Sequence, residues 1–230
     1  MKRAVPILSV CMMMVVILSG CLASRNVEYN GNGNSTTVAQ TIKPIPQRSA
    51  SREKVPVGVM VGIDNEVIAL YPTLQQNNVG LGIDYIVREQ LSNSDWFTLC
   101  AVDPQLISAF EKLKDYYWQG NIPDDKFVES KKPEYILMIG VTRVDIIGKE
   151  KIVAGSKRFN GQCSVKINIE KIPLLSGQPN IDLVVSGEGA VTVREVDSLF
   201  TSGAQLRASK FGEATENAIN NAVADMINKL

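Results

Sequence analysis

The chain has 230 residues, with 24 Lys and Arg against 24 Asp and Glu, and it contains no histidine. That length suits one globular core with room for further segments, and the even charge implies no nucleic-acid partner. Without histidine there is no Ser-His-Asp or Cys-His arrangement, and the commonest metal ligand is missing.

Lys2 and Arg3 precede an apolar run from Val5 to Leu18, and Leu18-Ser19-Gly20-Cys21 follows at once. Small residues before a cleavage point let extended backbone enter a peptidase, and the run is short of the ~20 residues of a spanning helix. A cysteine directly after them, with leucine three positions earlier, resembles the lipobox of bacterial lipoproteins. The resemblance implies a signal peptide over residues 1–20, a diacylglycerol on the Cys21 thiol, and acylation of the new amine. Loss of residues 1–20 removes Lys2, Arg3 and Cys11 and leaves 24 acidic against 22 basic residues, a net charge of −2. Each buried methylene contributes roughly 0.8 kcal/mol, so more than one acyl chain makes a stable anchor in the bilayer. Leu22, not an acidic residue, follows Cys21; among Gram-negative lipoproteins this implies the outer membrane, with the domain facing the periplasm.

Residues 21–54 read as the lipidated cysteine and a flexible tether. Asn30 to Thr37 is polar and offers nothing to bury, and Pro44 and Pro46 stiffen the chain. Arg25, Lys43, Arg48, Arg52 and Lys54 against Glu28 and Glu53 make it mildly basic, which fits a solvated spacer or attraction to anionic head groups.

Residues 55–230 read as one α/β (α+β) domain. Val55, Val57, Val59 and Val61 alternate with Pro56, Gly58, Met60 and Gly62, a strand apolar or small on both faces. A long loop through Asp64-Asn65 and Tyr71-Pro72 follows. Leu81, Tyr85, Ile86 and Glu89 then fall at helical spacing in a segment ending near Ser92. Asn93-Ser94-Asp95 is a turn before a strand from Trp96 to Val102. Asp103-Pro104 starts a helix, with Asp as N-cap and Pro in the first turn; Leu106, Ile107, Phe110, Leu113 and Tyr117 form its apolar stripe. Strands follow over Tyr135 to Ile147, through Cys163, Val165, Ile167 and Ile169, and from Ile181 to Val196, the second and third joined by the turn Ser176 to Asn180. The chain ends in a helix whose stripe is Phe211, Ala214, Ala218, Ile219, Ala222, Val223, Met226, Ile227 and Leu230, with Glu213, Glu216, Asn220, Asn221 and Asp225 elsewhere. The order β-α-β-α-β-β-β-α predicts a mixed sheet with packed helices.

These pieces, in this order behind a lipobox, resemble the curli production assembly/transport components. The likeness rests on Arg88-Glu89-Gln90-Leu91 leading to Ser94-Asp95-Trp96-Phe97, the helix Gln105 to Tyr117, and the strands at 134–145 and 165–172. Ser176-Gly177, the stretch 186–191 and the alanine-rich final helix complete it. Penicillin-binding-protein activator lipoproteins look similar at the same level. The resemblance implies a periplasmic domain acting in assembly or secretion of cell-surface material, with envelope protein partners and a possible homo-oligomer; the alternative it implies is an activator of a peptidoglycan synthase. In the curli family, strand hairpins build a barrel, and a membrane strand needs ~9–11 residues with outward apolar alternation. Segments 148–160 and 194–210 are short and charged, which puts a full pore in doubt, although strands borrowed from their neighbours would lengthen them.

No catalytic residue, cofactor or metal ligand set is assigned, and the expectation is a protein that is not an enzyme. Asp124-Asp125 reads as a solvated turn or a cation site. Lys149, Lys151, Lys157 and Arg158 form a basic cluster that fits a solvated hairpin tip, or a head-group or partner site. Tyr116, Tyr117 and Trp118 are candidates for a partner hot spot, with Tyr117 also fitting the core. Cys100 and Cys163 are either two buried thiols or, in an oxidising periplasm, a disulfide.

Overall fold

The computed structural model describes residues 41–103, 105, 116–118, 128–129, 131–153, 156–174, 181–194 and 199–230, and of residues 116–118, 150–153 and 156–158 only the backbone. The expected signal peptide, Cys21, most of the tether, Asp124-Asp125 and the turn at 176–180 lie outside the described residues.

Strand β1 (Val55–Asp64) opens the body, with residues Val57 to Ile63 all buried, as a strand apolar on both faces must be. The expected loop after it is instead two short helices, α1 (Asn65–Leu70) and α2 (Thr73–Gln76). The Asp64 carboxylate caps the first by accepting from Glu66 N at 2.8 Å. Burial of Val67 and Leu74 draws both helices onto the body.

Helix α3 (Val79–Asn93) matches its expected position, but its inward face is Val79, Ile83, Ile86, Val87 and Leu91. Tyr85 is exposed, while Leu81 and Glu89 are half-buried. Arg207 covers that second face, paired with Glu89 and lying over the Tyr85 ring. Within α3, Arg88 donates to Asp84 at 2.9 Å and to the carbonyl of Val59 at 3.2 Å, tying the helix to β1 through a buried ion pair.

Strand β2 (Phe97–Cys100) follows, and Asp103 caps as expected, accepting from Gln105 N at 2.8 Å. The rest of that helix lies outside the described residues except at its end, where Tyr116–Trp118 form strand β3, antiparallel to β1. Tyr117 therefore does not belong to a helical stripe. Strand β4 (Tyr135–Val153) and strand β5 (Ser156–Pro173) are much longer than their periodicity indicated, and β6 (Leu183–Val193) is shorter. A 3₁₀ helix (Gly203–Ala208) then leads to helix α4 (Lys210–Ile227).

The result is a single α+β domain. Its mixed sheet has the order β2-β1-β4-β5-β6, with β3 beside β1. β1 is parallel to β2 and β4, and the other pairs are antiparallel. α3, α4 and the 3₁₀ helix cover one face, over Val57, Val59, Leu137, Ile139, Ile167 and Val185 among others. A smaller apolar group, Met60, Ile136, Met138 and Ile172, is buried on the other face.

The final helix keeps its expected stripe: Phe211, Ala214, Ala218, Ile219, Ala222, Val223, Met226 and Ile227 are all buried. It lies unusually close to β6. A Cβ built on Gly187 would overlap the carbonyl oxygen of Ala218, and one on Gly189 would overlap that of Ala214. Two glycines on the strand and alanines at helical spacing thus let backbone rest on backbone.

Gly189→Val puts side-chain atoms where helix backbone already stands. Overpacking of this kind costs about 1–3 kcal/mol or more, and about 2–4 °C is lost per kcal/mol in a domain of this size. Ile219→Asp sets a charge in the same layer and costs several kcal/mol. Thermal melting followed by circular dichroism should show both variants several degrees below the parent; melting within a degree or two would mean that α4 does not pack on β6.

Candidate functional site: the seam between leading segment and body

The chain does not reach β1 as a free tether. Pro44 and Pro46 hold residues 43–46 extended, and Ile45 between them is partly buried against the main core. Lys43 is held on three sides by α4. Its N–H donates to Asn221 Oδ1 at 2.8 Å, its carbonyl accepts from Asn220 Nδ2 at 2.9 Å, and its ammonium meets the Asp225 carboxylate at 2.7 Å. The Asn221 amide then donates to the carbonyl of Glu188 on β6 at 2.9 Å. One buried side chain therefore links the leading segment, α4 and the outer edge of the sheet.

Further along, the segment crosses the ends of α3 and α4 to the other edge. Trp96 donates from Nε1 to the carbonyl of Pro46 at 2.6 Å, and the Arg52 guanidinium lies 5.0 Å from the Trp96 ring centroid. Arg52 also donates to the carbonyl of Leu230 at 3.0 Å. Asp95, in the left-handed region at φ 61°, receives Arg48 at 3.0 Å and Lys54 at 2.6 Å. The hydrogen bonds from Lys54 and Arg48 hold the Asp95 carboxyl below the usual carboxylate range. An open groove lies between Ile45–Arg48 and Asn93–Asp95.

Of the five cations expected to solvate the tether or meet head groups, Arg25 lies outside the described residues and Lys43, Arg48, Arg52 and Lys54 lie within them. All four are engaged by the body instead. Asn221, expected away from the apolar stripe, is 5% exposed. Composition hid this because an amide at that position reads as surface. The signal present in the sequence was Ile45 between two prolines, an apolar residue with no place in a solvated spacer.

The other candidates are not gathered here. Cys100 and Cys163 are both buried and free. They sit on β2 and β5, with β1 and β4 between them; three strand spacings come to about 14 Å, beyond the roughly 7 Å limit for a disulfide. Burial first, and then the Asp145 carboxylate, push the Cys163 thiol up to about 12, and burial raises Cys100 as well. The basic cluster lies on the β4–β5 hairpin, where Lys149 is exposed, and Tyr116, Tyr117 and Trp118 lie on β3. Segment 194–210 forms no hairpin among the described residues: its 3₁₀ helix packs Leu206 inward against α3 and α4. Among the described residues no group of three or more Cys, Asp or Glu is placed to hold a metal ion, and no helix is long and apolar enough to cross a membrane.

No protein-family model matches the chain, and no curated protein is detectably similar in sequence. Among solved structures, protein CT253 from Chlamydia trachomatis is similar at a TM-score of 0.45 and 10% identity, covering 76% of this chain and 97% of that one. The PelC dodecamer subunit from Paraburkholderia phytofirmans gives 0.36 and 12%, covering 79% and 93%. A neuraminyllactose-binding hemagglutinin homolog from Helicobacter pylori gives 0.33 and 12%, covering 83% and 89%. Likeness at this level assigns the chain to no family.

Asn221→Ala leaves the Lys43 N–H and the Glu188 carbonyl without their partner, a loss of about 1–3 kcal/mol. Residues around Lys43 should then exchange their amide hydrogens faster while those of β1 and β4 do not change; exchange mass spectrometry reads both, and equal protection at Lys43 would show that the seam does not depend on this amide. The thiols give a second test. Protonated and buried, Cys100 and Cys163 should resist a thiol reagent at pH 8 until the fold opens. Because both folded pKa values lie above the ordinary 9.0, this part of the stability is complete below pH 9 and lost as pH rises through them, for Cys163 toward about 12. Rapid labelling of the native protein at pH 8, or a melting temperature flat from pH 8 to 11, would contradict the placement.

Proposed function

We propose that this chain is a lipid-anchored protein of the bacterial cell envelope, held to the outer membrane by acylated Cys21, with its body in the periplasm. It works by contact with envelope partners and not by catalysis. The observation that carries this is Leu18-Ser19-Gly20-Cys21 behind a basic start and an apolar run, followed by polar chain up to the seam. The seam supports it, because a tethered body needs a fixed point at which the tether is received, and Lys43 with Asn220, Asn221 and Asp225 supplies one.

The more specific role is assembly or secretion of cell-surface material, as in the curli components that the sequence resembles. Of the two segments that would have to furnish membrane hairpins, 194–210 is taken up in part by a packed 3₁₀ helix, and 148–160 carries Lys149, Glu150, Lys151, Lys157 and Arg158. Arg or Lys on a lipid-facing strand costs about 2–4 kcal/mol each near the midplane, so this chain acts as a tethered accessory without a pore of its own. An activator of a periplasmic synthase is the second reading, favoured by the length to which β4 and β5 project.

Cys21→Ser should abolish labelling by a fatty-acid probe and release the protein from the outer-membrane fraction unless the signal is retained. Unchanged labelling would refute the anchor. Ion conductance from the purified full chain in planar bilayers, lost on deletion of 148–160 or 194–210, would refute the accessory role and restore the pore.

A further inference from the structure

The β4–β5 hairpin has an end that no strand among the described residues covers. β1 pairs with β4 only as far as Ile63↔Val141, and β6 pairs with β5 only as far as Val193↔Gly161. From Lys149↔Asn160 to Val153↔Ser156, β4 and β5 pair only with each other among the described residues. This two-stranded arm extends roughly 15 Å at ~3.4 Å per residue, and each strand presents a row of N–H and C=O groups on its outer edge. Its base is braced. Gly148 stands opposite Gly161, and the Phe159 ring lies over both, so that a Cβ on either would collide with it.

The arm is strongly basic. It carries Lys149, Lys151, Lys157 and Arg158 against Glu150. Register places Lys151 opposite Arg158 and Lys149 one rung pair below on the same face of the ladder. Continuing down that face, Ile147 is 54% exposed. The arm also stands at the end of the body away from the seam. β4 runs parallel to β1, whose first residues adjoin the seam, and its 19 residues span about 60 Å at ~3.3 Å each.

We propose that this arm is the docking edge for an extended acidic segment of a partner protein. The segment adds as a strand along the outer edge of β4, its carboxylates on the face of the ladder to which Lys149 and Lys151 belong and, one strand further in, Arg158, with Ile147 as the apolar contact at the base. A strand partner satisfies the open backbone row, which a head group does not. A second copy docking arm to arm would bring like charges into register, where they repel. The proposal deepens the envelope-partner reading above by stating the partner's chemistry, and it rests on that reading only for the partner's location.

The test uses the full chain in neutral detergent and two fluorescent peptides of about 12 residues, one alternating Glu with Thr and one alternating Lys with Thr. Cross-strand charge pairs at Lys149 and Lys151, with Arg158 one strand further in adding to the field, should give the Glu peptide about tenfold tighter binding at low salt. The triple variant K149E/K151E/R158E should lose that preference with an unchanged melting temperature. Amides of Lys149–Val153 should exchange more slowly when the Glu peptide is bound. Binding indifferent to the triple reversal, or unchanged exchange along the arm, overturns the proposal. So does self-association of the parent in sedimentation that the reversal abolishes, which would assign the arm to a second copy. Binding of the Cys21→Ser chain to phosphatidylglycerol vesicles, also abolished by the reversal, would assign it to a membrane and overturn it equally. The peptide readouts do not require the lipid, so their failure leaves the anchoring reading standing, and failure of anchoring leaves the peptide result interpretable.

Discussion

The backbone contact between α4 and β6 is the constraint on which the rest of the body depends. A helix normally rides on a sheet at a distance set by its side chains, with a layer of leucines or valines between. Here Gly187 and Gly189 remove that layer on the strand, and Ala214, Ala218 and Ala222 thin it on the helix. The lowered helix brings Asn221 within hydrogen-bonding reach of the Glu188 carbonyl. With one end of that amide fixed, its other end is positioned to receive Lys43. The seam is in this sense a product of the glycine pair, and so is the depth at which Phe211 reaches Phe200, 5.2 Å away between ring centroids.

Charge is divided between the two ends of the body in a way that total composition conceals. At the seam every cation named has an internal partner, either a carboxylate or the Trp96 ring. On the arm the cations outnumber the single carboxylate. A neutral chain can thus hold one quiet end and one end with a local field, and only the second is available to steer an approaching partner.

The parts of this architecture that were legible in the sequence are those written in periodicity. The β1 valines, the alternation through Cys163 to Ile169 and the stripe of the last helix each lie where their spacing put them. The misreadings have physical causes. Asp64-Asn65 reads as loop because capping residues and turn residues are the same types, and burial of Val67 decides the matter only in three dimensions. Of the expected α3 stripe only Ile86 faces inward, because the helix carries apolar residues on both sides and Arg207, far along the chain, covers the Tyr85 side. The length of β4 and β5 was hidden by charged residues that do not alternate with apolar ones, since an arm without a buried face leaves no period to read. The seam was illegible for a related reason: it is built from amides and cations whose partners lie from about 40 to about 180 residues apart.

Lys43 also fixes where mechanical load enters. A pull on the chain from its N-terminal side does not peel β1 from the sheet at Val55. It is taken first by the Asn220 and Asn221 amides and the Asp225 carboxylate, and through Asn221 it passes to β6, on the far side of the sheet from β2. Force is thereby spread over a helix and an edge strand that are already pressed together, while the parallel β1–β4 centre, which carries the long arm, stays out of the line of tension. Tension at one end of such a molecule would leave the geometry of the other end undisturbed.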